Sequence, residues 1–317
     1  MFKLVSIIIP TLNEEKSIGK CLEALSLVDK LSLRTEVIVV DNGSVDATVR
    51  IASKLADQTL IKTGVNISAL RNYGVANSEG DLLAFVDADC IVDKDWLKQA
   101  INCMIHQSVD AVGSYYAIPE DASWIGKAIE LMQMKKIGAN VKYIPAGNIL
   151  VKRSCFLAID GFDETLITNE DVDFCHRLRN YGYKLYCDPS IKSVHLGTPK
   201  KIKEIITKQI WHGTNNITIF IRDMKKVRNV RIVIYSVINL LFLSAMTLGI
   251  FLFLLGKPTL FAISLCLYLI FHTAITFEEW RGVRKGFLHL FFYIIIYGFA
   301  RSISTLKWIM RRPPRKG

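Results

Sequence analysis

The chain has 317 residues, 51% of them hydrophobic, with 40 Lys and Arg against 29 Asp and Glu and a formal net charge of +11. The excess is local: residues 1–198 hold 21 basic against 25 acidic residues, whereas residues 199–317 hold 19 against 4. Two stretches within the basic part, 232–256 and 258–277, carry no Asp, Glu, Lys or Arg over 25 and 20 positions, so the charge argues for anionic membrane lipids and against nucleic acid.

Seven scattered cysteines without C-x-x-C spacing argue against a zinc site or a disulfide frame and for reduced thiols. Met1-Phe2-Lys3 opens an apolar run that stops at Pro10, too short for a signal peptide, so residues 1–198 are expected to be cytoplasmic.

Residues 4–9 read as a buried strand ended by Pro10, with Asn13 placed to cap a helix whose apolar residues Ile18, Cys21, Leu22 and Leu25 recur at helical spacing. Val37 to Val40 form a second strand that ends in Asp41-Asn42-Gly43-Ser44, and Val49, Ala52 and Leu55 restore helical spacing. Strand, helix, strand in this order predicts a parallel sheet with right-handed crossovers. Asp41 has two readings at this point, turn chemistry or an acid bordering a pocket. Ser68 opens a helix with Ala69, Tyr73 and Ala76 on one face, which turns Arg71 and Asn72 toward the crevice. There Arg71 suits a phosphate, or is a solvated helix charge.

The run Leu82-Leu83-Ala84-Phe85-Val86 then delivers Asp87-Ala88-Asp89 to a sheet edge. Ligands of an open parallel sheet gather beyond the carboxyl ends of its strands. Alternation would turn both acids to one side, and hard oxygen ligands suit Mg2+ or Mn2+; the competing reading is a pair of loop acids before the next helix. That helix carries the stripe Trp96, Leu97, Ala100, Ile101, Met104 and Ile105. Between 110 and 145, Asp110-Ala-Val-Gly suggests a strand and Ala128 to Met134 a helix.

Ala146-Gly147-Asn148-Ile149-Leu150-Val151 and Gly161-Phe162-Asp163-Glu164 precede Asn169-Glu170-Asp171, after which Phe174, Leu178 and Tyr181 mark a helical face. Glu170 and Asp171 fall on its first turn, where the helix dipole favours carboxylates. Thr168-x-x-Asp171 also matches a capping box, so Asp171 is either a cap or a site acid. Ser190 to His195 reads as a last strand, with His195 a surface residue or a ligand.

Taken together, Ile-Ile-Pro10-Thr11-x-Asn13-Glu14, Val-Val-Asp41-Asn42-Gly43-Ser44, Arg71-Asn72-x-Gly74, Asp87-Ala88-Asp89 and Glu170-Asp171 resemble, in order, the family 2 inverting glycosyltransferases. The resemblance covers residues 4 to about 198. It implies an α/β fold of the GT-A, Rossmann-like type with a nucleotide-sugar donor at the strand ends. Pro10 and Thr11 would then lie beside the nucleobase, Glu14 on ribose, Asp41 on a base N–H, Asp87 on ribose or metal-bound water, and Asp89 on a divalent Mg2+ or Mn2+. The same resemblance makes Asp171 the catalytic base, with Glu170 the second choice, and brings His195 toward the metal or diphosphate. Cys90-Ile91 follows the acids where polyprenyl-phosphate transferases carry Leu-Gln, and Gln209-Ile210-Trp211-His212 does not match the Gln-x-x-Arg-Trp of processive synthases. This implies addition of one sugar to a lipid-linked glycan or other membrane acceptor in cell-envelope or exopolysaccharide synthesis. A polyprenyl-phosphate sugar transferase is the alternative, and a non-catalytic membrane assembly subunit a second one.

The expected organisation is a catalytic domain at 1–198, an interfacial linker at 199–231, a membrane domain at 232–310 and a basic tail at 311–317. In the linker Ile202, Ile205, Ile206, Ile210 and Trp211 interleave with Lys200, Lys201, Lys203 and Lys208, as in an amphipathic interfacial helix. Lys225, Lys226, Arg228 and Arg231 precede the first span and orient it with this end cytoplasmic. Spans at 232–256 and 258–277 form a hairpin, followed by a third membrane-embedded helix at about 286–310, so a multi-pass protein of the cell membrane is expected.

Overall fold

The computed structural model describes residues 2–133, 137–139, 141, 143–214 and 227–310. Met134 at the end of one predicted helix, Lys225, Lys226 and the basic tail lie outside the described residues, as do the side chains of Arg228 and Arg231. Two units are present, one of Met1–Asp121 and Lys136–Thr198, the other of Ala122–Lys135 and Pro199–Gly317.

The first unit is built on β1 (Leu4–Thr11), β2 (Arg34–Asp41), β3 (Gln58–Ile61), β4 (Leu82–Val86), β5 (Cys90–Val92), β6 (Ala111–Gly113), β7 (Asn148–Lys152), β8 (Leu185–Cys187) and β9 (Ser193–His195). Its helices are α1 (Ile18–Ser26), α2 (Thr48–Leu55), α3 (Ile67–Ala76), α4 (Trp96–His106), α6 (Arg153–Ala158) and α7 (Glu170–Asn180); α5 (Trp124–Gln133) belongs to the second unit. Among the described residues seven strands form one sheet in the order β3-β2-β1-β4-β7-β6-β8. The half β3-β2-β1-β4 is parallel, as strand-helix-strand order demands. The other half departs from the expected parallel sheet, because β7 runs antiparallel to both β4 and β6. The result is an α/β Rossmann-like architecture with a mixed sheet.

The central strands are continuous apolar runs because helices cover both of their faces. Every residue of β4 is fully buried, worth about 1.5–3 kcal/mol for each large apolar side chain. One face packs on α1 and α4 through Leu22, Leu25, Trp96 and Leu97. The other packs on α3, α6 and α7, where Phe85, Phe156, Phe162 and Phe174 form an aromatic cluster.

Register decides what meets at the sheet edge. Thr11 pairs with Asp41, so β1 and β2 end level with each other, and Phe85 of β4 stands beside Ile8. Since β7 is reversed, its first residue Asn148 pairs with the last of β4, Val86, which brings Gly147 next to Asp87. A separate ribbon of β5 and β9 pairs Cys90 with His195.

In the second unit α5 is joined by α8 (Ile202–Gly213), α9 (Val227–Leu254), α10 (Thr259–Trp280) and α11 (Phe287–Met310). Residues Val233–Leu254, Thr259–Trp280 and Phe287–Met310 are long and apolar enough to cross a membrane. The second of these helices continues past the apolar stretch through Glu278 and Glu279 to Trp280.

Candidate active site

Strand β4 ends at Val86, and Asp87 to Cys90 form a tight turn closed by Cys90 N–H donating to the Asp87 carbonyl at 3.0 Å. The two acids therefore converge through a turn and not through the alternation of an extended chain. Asp89 then meets His195, delivered by the β5–β9 ribbon, with Oδ2 and Nε2 3.5 Å apart. Asp87, Asp89 and His195 each offer one ligand atom, and these atoms lie within 4.8 Å of one another.

Asp87 is held from two sides. Arg71 Nη2 donates to its Oδ1 at 2.9 Å and the Tyr116 hydroxyl to its Oδ2 at 2.7 Å. Burial pushes the Asp87 carboxyl up, but the Arg71 charge, the Tyr116 O–H and His195 outweigh it and hold the group below its ordinary value. Burial and the Asp87 charge raise the Tyr116 phenol far above its ordinary range, so it stays protonated and donates.

Arg71 is neither solvated nor open to the crevice. It is 2% exposed, its guanidinium lies over the Phe162 ring, and its Nη1 donates to Glu170 Oε1 at 2.8 Å. The inward face of α3 is Ser68, Ala69, Leu70, Arg71, Gly74 and Val75, with Tyr73 packed partly against the core; of the predicted face Ala69 is buried and Ala76 is exposed, and Arg71 is added to the interior. Asn66, not Ser68, caps this helix by accepting from Ala69 N–H at 3.0 Å. Asn72 is likewise diverted: its amide exchanges hydrogen bonds with the Phe162 backbone at 2.9 Å each way and braces the loop before α7.

Glu170 opens α7 and Asp171 follows it, with Asn169 as N-cap in a left-handed conformation at φ 63°. The predicted capping box is not formed; Asp171 Oδ1 instead accepts from Val172 N–H at 2.7 Å. Burial, then the neighbouring Glu170 charge, push the Asp171 carboxyl up to about 7. Glu170 itself is bound to Arg71, so the two adjacent acids have different partners.

At the ends of β1 and β2, Pro10 and Thr11 close their strand, and the Thr11 hydroxyl is buried without a protein partner. Asp41 is fully buried; its Oδ2 accepts from Gly43 N–H at 2.8 Å and Ser44 N–H at 2.7 Å, and its Oδ1 from the Ser44 hydroxyl. The geometry thus gives Asp41 the turn chemistry, not an open carboxylate. Asn13 does not cap α1, whose N-cap is Ser17; it accepts from Val45 N–H at 3.0 Å and ties the β1 and β2 loops together. Glu14 accepts from the Ser17 hydroxyl, and its carboxyl is raised by burial and by the charges of Asp89, Asp46 and Asp87.

The model of glycosyl transferase family 2 matches residues 6–158. Glycosyltransferase AglE of Haloferax volcanii is 30% identical over 236 residues, covering 71% of this chain and 77% of that protein. The chain belongs to glycosyl transferase family 2. A second relative of this transferase, from Methanococcus voltae, is 29% identical over 66% of the chain and 71% of its own length; it is a dolichyl N-acetyl-alpha-D-glucosaminyl phosphate 3-beta-D-2,3-diacetamido-2,3-dideoxy-beta-D-glucuronosyltransferase. Several other curated relatives are spanned over less than half of their length. The mannosyltransferase PcManGT of Pyrobaculum calidifontis, solved with GDP-Man and Mn2+, shares the fold with a TM-score of 0.63 over 98% of this chain and 88% of its own, at 16% identity.

The transferase's acidic group fits a divalent cation. Two carboxylates and an imidazole, with ligand atoms within 4.8 Å of one another, suit Mn2+ or Mg2+. Two glycines make room for them. A Cβ on Gly197 would lie 2.2 Å from Asp89 Oδ2, and one on Gly147 2.0 Å from Asp87 Oδ2.

Tyr116 and Asn148 are site residues that sequence reasoning did not single out. Asn148 accepts from Trp96 Nε1–H at 2.7 Å and donates to the Ser114 and Ile191 carbonyls at 3.2 and 3.0 Å, pinning β7 beneath the Asp87 turn. No local pattern marks Tyr116, which follows a three-residue strand.

Proposed function

We propose that the chain is a membrane-anchored inverting glycosyltransferase that moves one sugar from a nucleotide-diphosphate sugar to a lipid-linked acceptor, with its catalytic unit on the cytoplasmic side of the cell membrane. The observation that carries the reading is Asp171, a carboxyl raised toward neutrality beside the chain Glu170–Arg71–Asp87. Inversion requires the acceptor oxygen to attack the anomeric carbon as the bond to the diphosphate breaks, and the acceptor hydroxyl must lose its proton. Asp171 takes that proton, a task for which a carboxylate with a pKa near the working pH is well matched.

Asp89 and His195, with Asp87, would hold a Mg2+ or Mn2+ ion, which when bound supplies positive charge to the departing diphosphate. Tyr116 and Arg71 fix Asp87, and Arg71 also fixes Glu170, so that the acids for the ion and for the acceptor are set by one guanidinium. Thr11 and Pro10 lie at the base end of the donor, where the Thr11 hydroxyl is buried without a protein partner. Glu14 serves the ribose, and Asp41 shapes the pocket by holding its turn. The lipid-linked acceptor is supported by the three apolar helices and by the dolichyl-linked acceptor of the Methanococcus relative.

A donor screen in native membrane extract tests the reading by measuring release of nucleoside diphosphate with Mg2+ or Mn2+. At least one donor is expected to turn over, and Asp171→Asn is expected to bind that donor normally while transfer falls at least about a hundredfold. Transfer by Asp171→Asn at the wild-type rate would remove Asp171 as the base.

A further inference from the structure

We infer that the second unit carries a binding site for the phosphate of a membrane lipid, built on Arg301 where α8 packs against α11. The inference goes beyond the transfer reading and does not depend on any assignment in the first unit.

Arg301 interrupts an apolar helix yet is only 8% exposed. Its Nη2 donates to Gln209 Oε1 at 3.1 Å, while Nε and Nη1 are buried without a partner. Among the described residues no carboxylate pairs with it. A guanidinium is charged at any accessible pH, so the unit buries a cation with two donors unmet. Leaving such a charge uncompensated is costly, and ionisable groups in membrane helices are kept where they bind something.

The guanidinium is held in place. Its plane is supported by the Tyr297 ring, 4.8 Å from the centroid. Gln209 is oriented by donating Nε2–H to the Tyr293 hydroxyl at 3.3 Å, which leaves its amide oxygen for Arg301. Gly213 lets α8 approach: a Cβ there would lie 2.3 Å from Ser304 Oγ and 3.2 Å from Arg301 Nη1. Ser304 locks the contact by donating to the Ile210 carbonyl at 2.7 Å. Nε and Nη1 lie on opposite edges of the guanidinium plane, and the one that shares an edge with the second Nη2 N–H forms with it a fork that matches two phosphate oxygens better than any neutral group.

The location selects a lipid as the source of that phosphate. Helix α8 is amphipathic, with Ile202 and Trp211 about half exposed beside the lysines at 200, 201, 203 and 208. Such a helix lies at the headgroup level, which puts Arg301 at the depth of lipid phosphates and not of the acyl chains. Basic pockets between membrane helices at this depth take lipid headgroups. The adjacent His212 is kept neutral by burial and then by the Arg301 and Lys208 charges, so it adds no second cation beside Arg301.

The test is lipid binding by the delipidated full-length chain in detergent, read by native mass spectrometry without turnover. Polyprenyl phosphate is compared with the matching polyprenol, and phosphatidylglycerol is added as competitor. The wild type is expected to hold one polyprenyl phosphate at least about tenfold more tightly than polyprenol. Arg301→Gln should lose most of that preference and Arg301→Lys part of it. Competition by phosphatidylglycerol assigns the site to bulk phospholipid, and resistance to it assigns the site to a phosphorylated polyprenyl carrier. Equal affinity of the wild type for polyprenyl phosphate and polyprenol overturns the inference without recourse to any variant, and so does an unaltered preference in a folded Arg301→Gln.

Discussion

Arg71 Nη1 donates to Glu170 Oε1 at 2.8 Å, joining the middle of α3 to the first residue of α7 inside the protein. The same guanidinium reaches Asp87 through Nη2, so one buried cation holds acids from two separate parts of the sheet edge. Removing it leaves two carboxylates facing each other in a place of low polarity.

Arg71→Met is therefore expected to lower stability by about 3–5 kcal/mol, the usual cost of breaking a buried ion pair from one side. Glu170→Gln, which keeps a hydrogen-bond acceptor, should cost much less. Thermal unfolding of the two variants and their double mutant measures the coupling; independent, additive effects would show that the pair is not a unit.

Tyr116→Phe deletes the hydroxyl on Asp87 and little else. A hydrogen bond to a charged group contributes about 1.5–3 kcal/mol, so turnover is expected to fall roughly tenfold to a hundredfold, with the fold retained. Activity alongside far-ultraviolet circular dichroism checks both parts of the expectation.

Gly197→Ala places a methyl group 2.2 Å from Asp89 Oδ2, and Asp89 must move. Binding of Mn2+, followed by electron paramagnetic resonance, should weaken at least about tenfold. Since an imidazole suits Mn2+ better than Mg2+, His195→Asn should narrow the difference in activity between the two ions. Chelation should abolish transfer by the wild type and added Mn2+ restore it.

Asp171 makes both activity and stability depend on pH, in opposite senses. Activity should rise as pH increases through about 7, where the folded carboxyl ionises. Its folded pKa lies above the unfolded one, so the folded state binds the proton more tightly. That relative stability is present below the unfolded value near 4 and is lost as pH rises through about 7. Asp171→Asn should accordingly raise the unfolding midpoint more at pH 8 than at pH 5, and transfer that is flat from pH 5.5 to 8.5 would contradict the role of base.

Much of the frame is legible in local sequence. Continuous apolar runs announced β1, β2 and β4, the 3.6-residue spacing announced α1, α4 and α7, and long uncharged stretches announced the apolar helices. Asp110-Ala-Val-Gly and Ser190 to His195 announced β6 and β9, whereas the three-residue strands β5 and β8 are poorly marked, because so short a run has no measurable period. The site followed the same division. The acids at 87 and 89 stand out after a buried strand, whereas the burial of Arg71 was missed because its helix face is set by the aromatic cluster beneath it.

Sequence alone thus determined the order of the main elements and the acids that end β4 and begin α7, since each follows from local periodicity and charge, whereas the passage of residues 122–135 into the second unit was not legible. Tertiary structure decided the partners. Reversal of β7 brought Gly147 to Asp87, the β5–β9 ribbon brought His195 to Asp89, and the wider buried face of α3 took Arg71 from the crevice to the interior. These contacts join residues far apart in the chain, and only strand order and register, fixed by packing of the whole sheet, can select them.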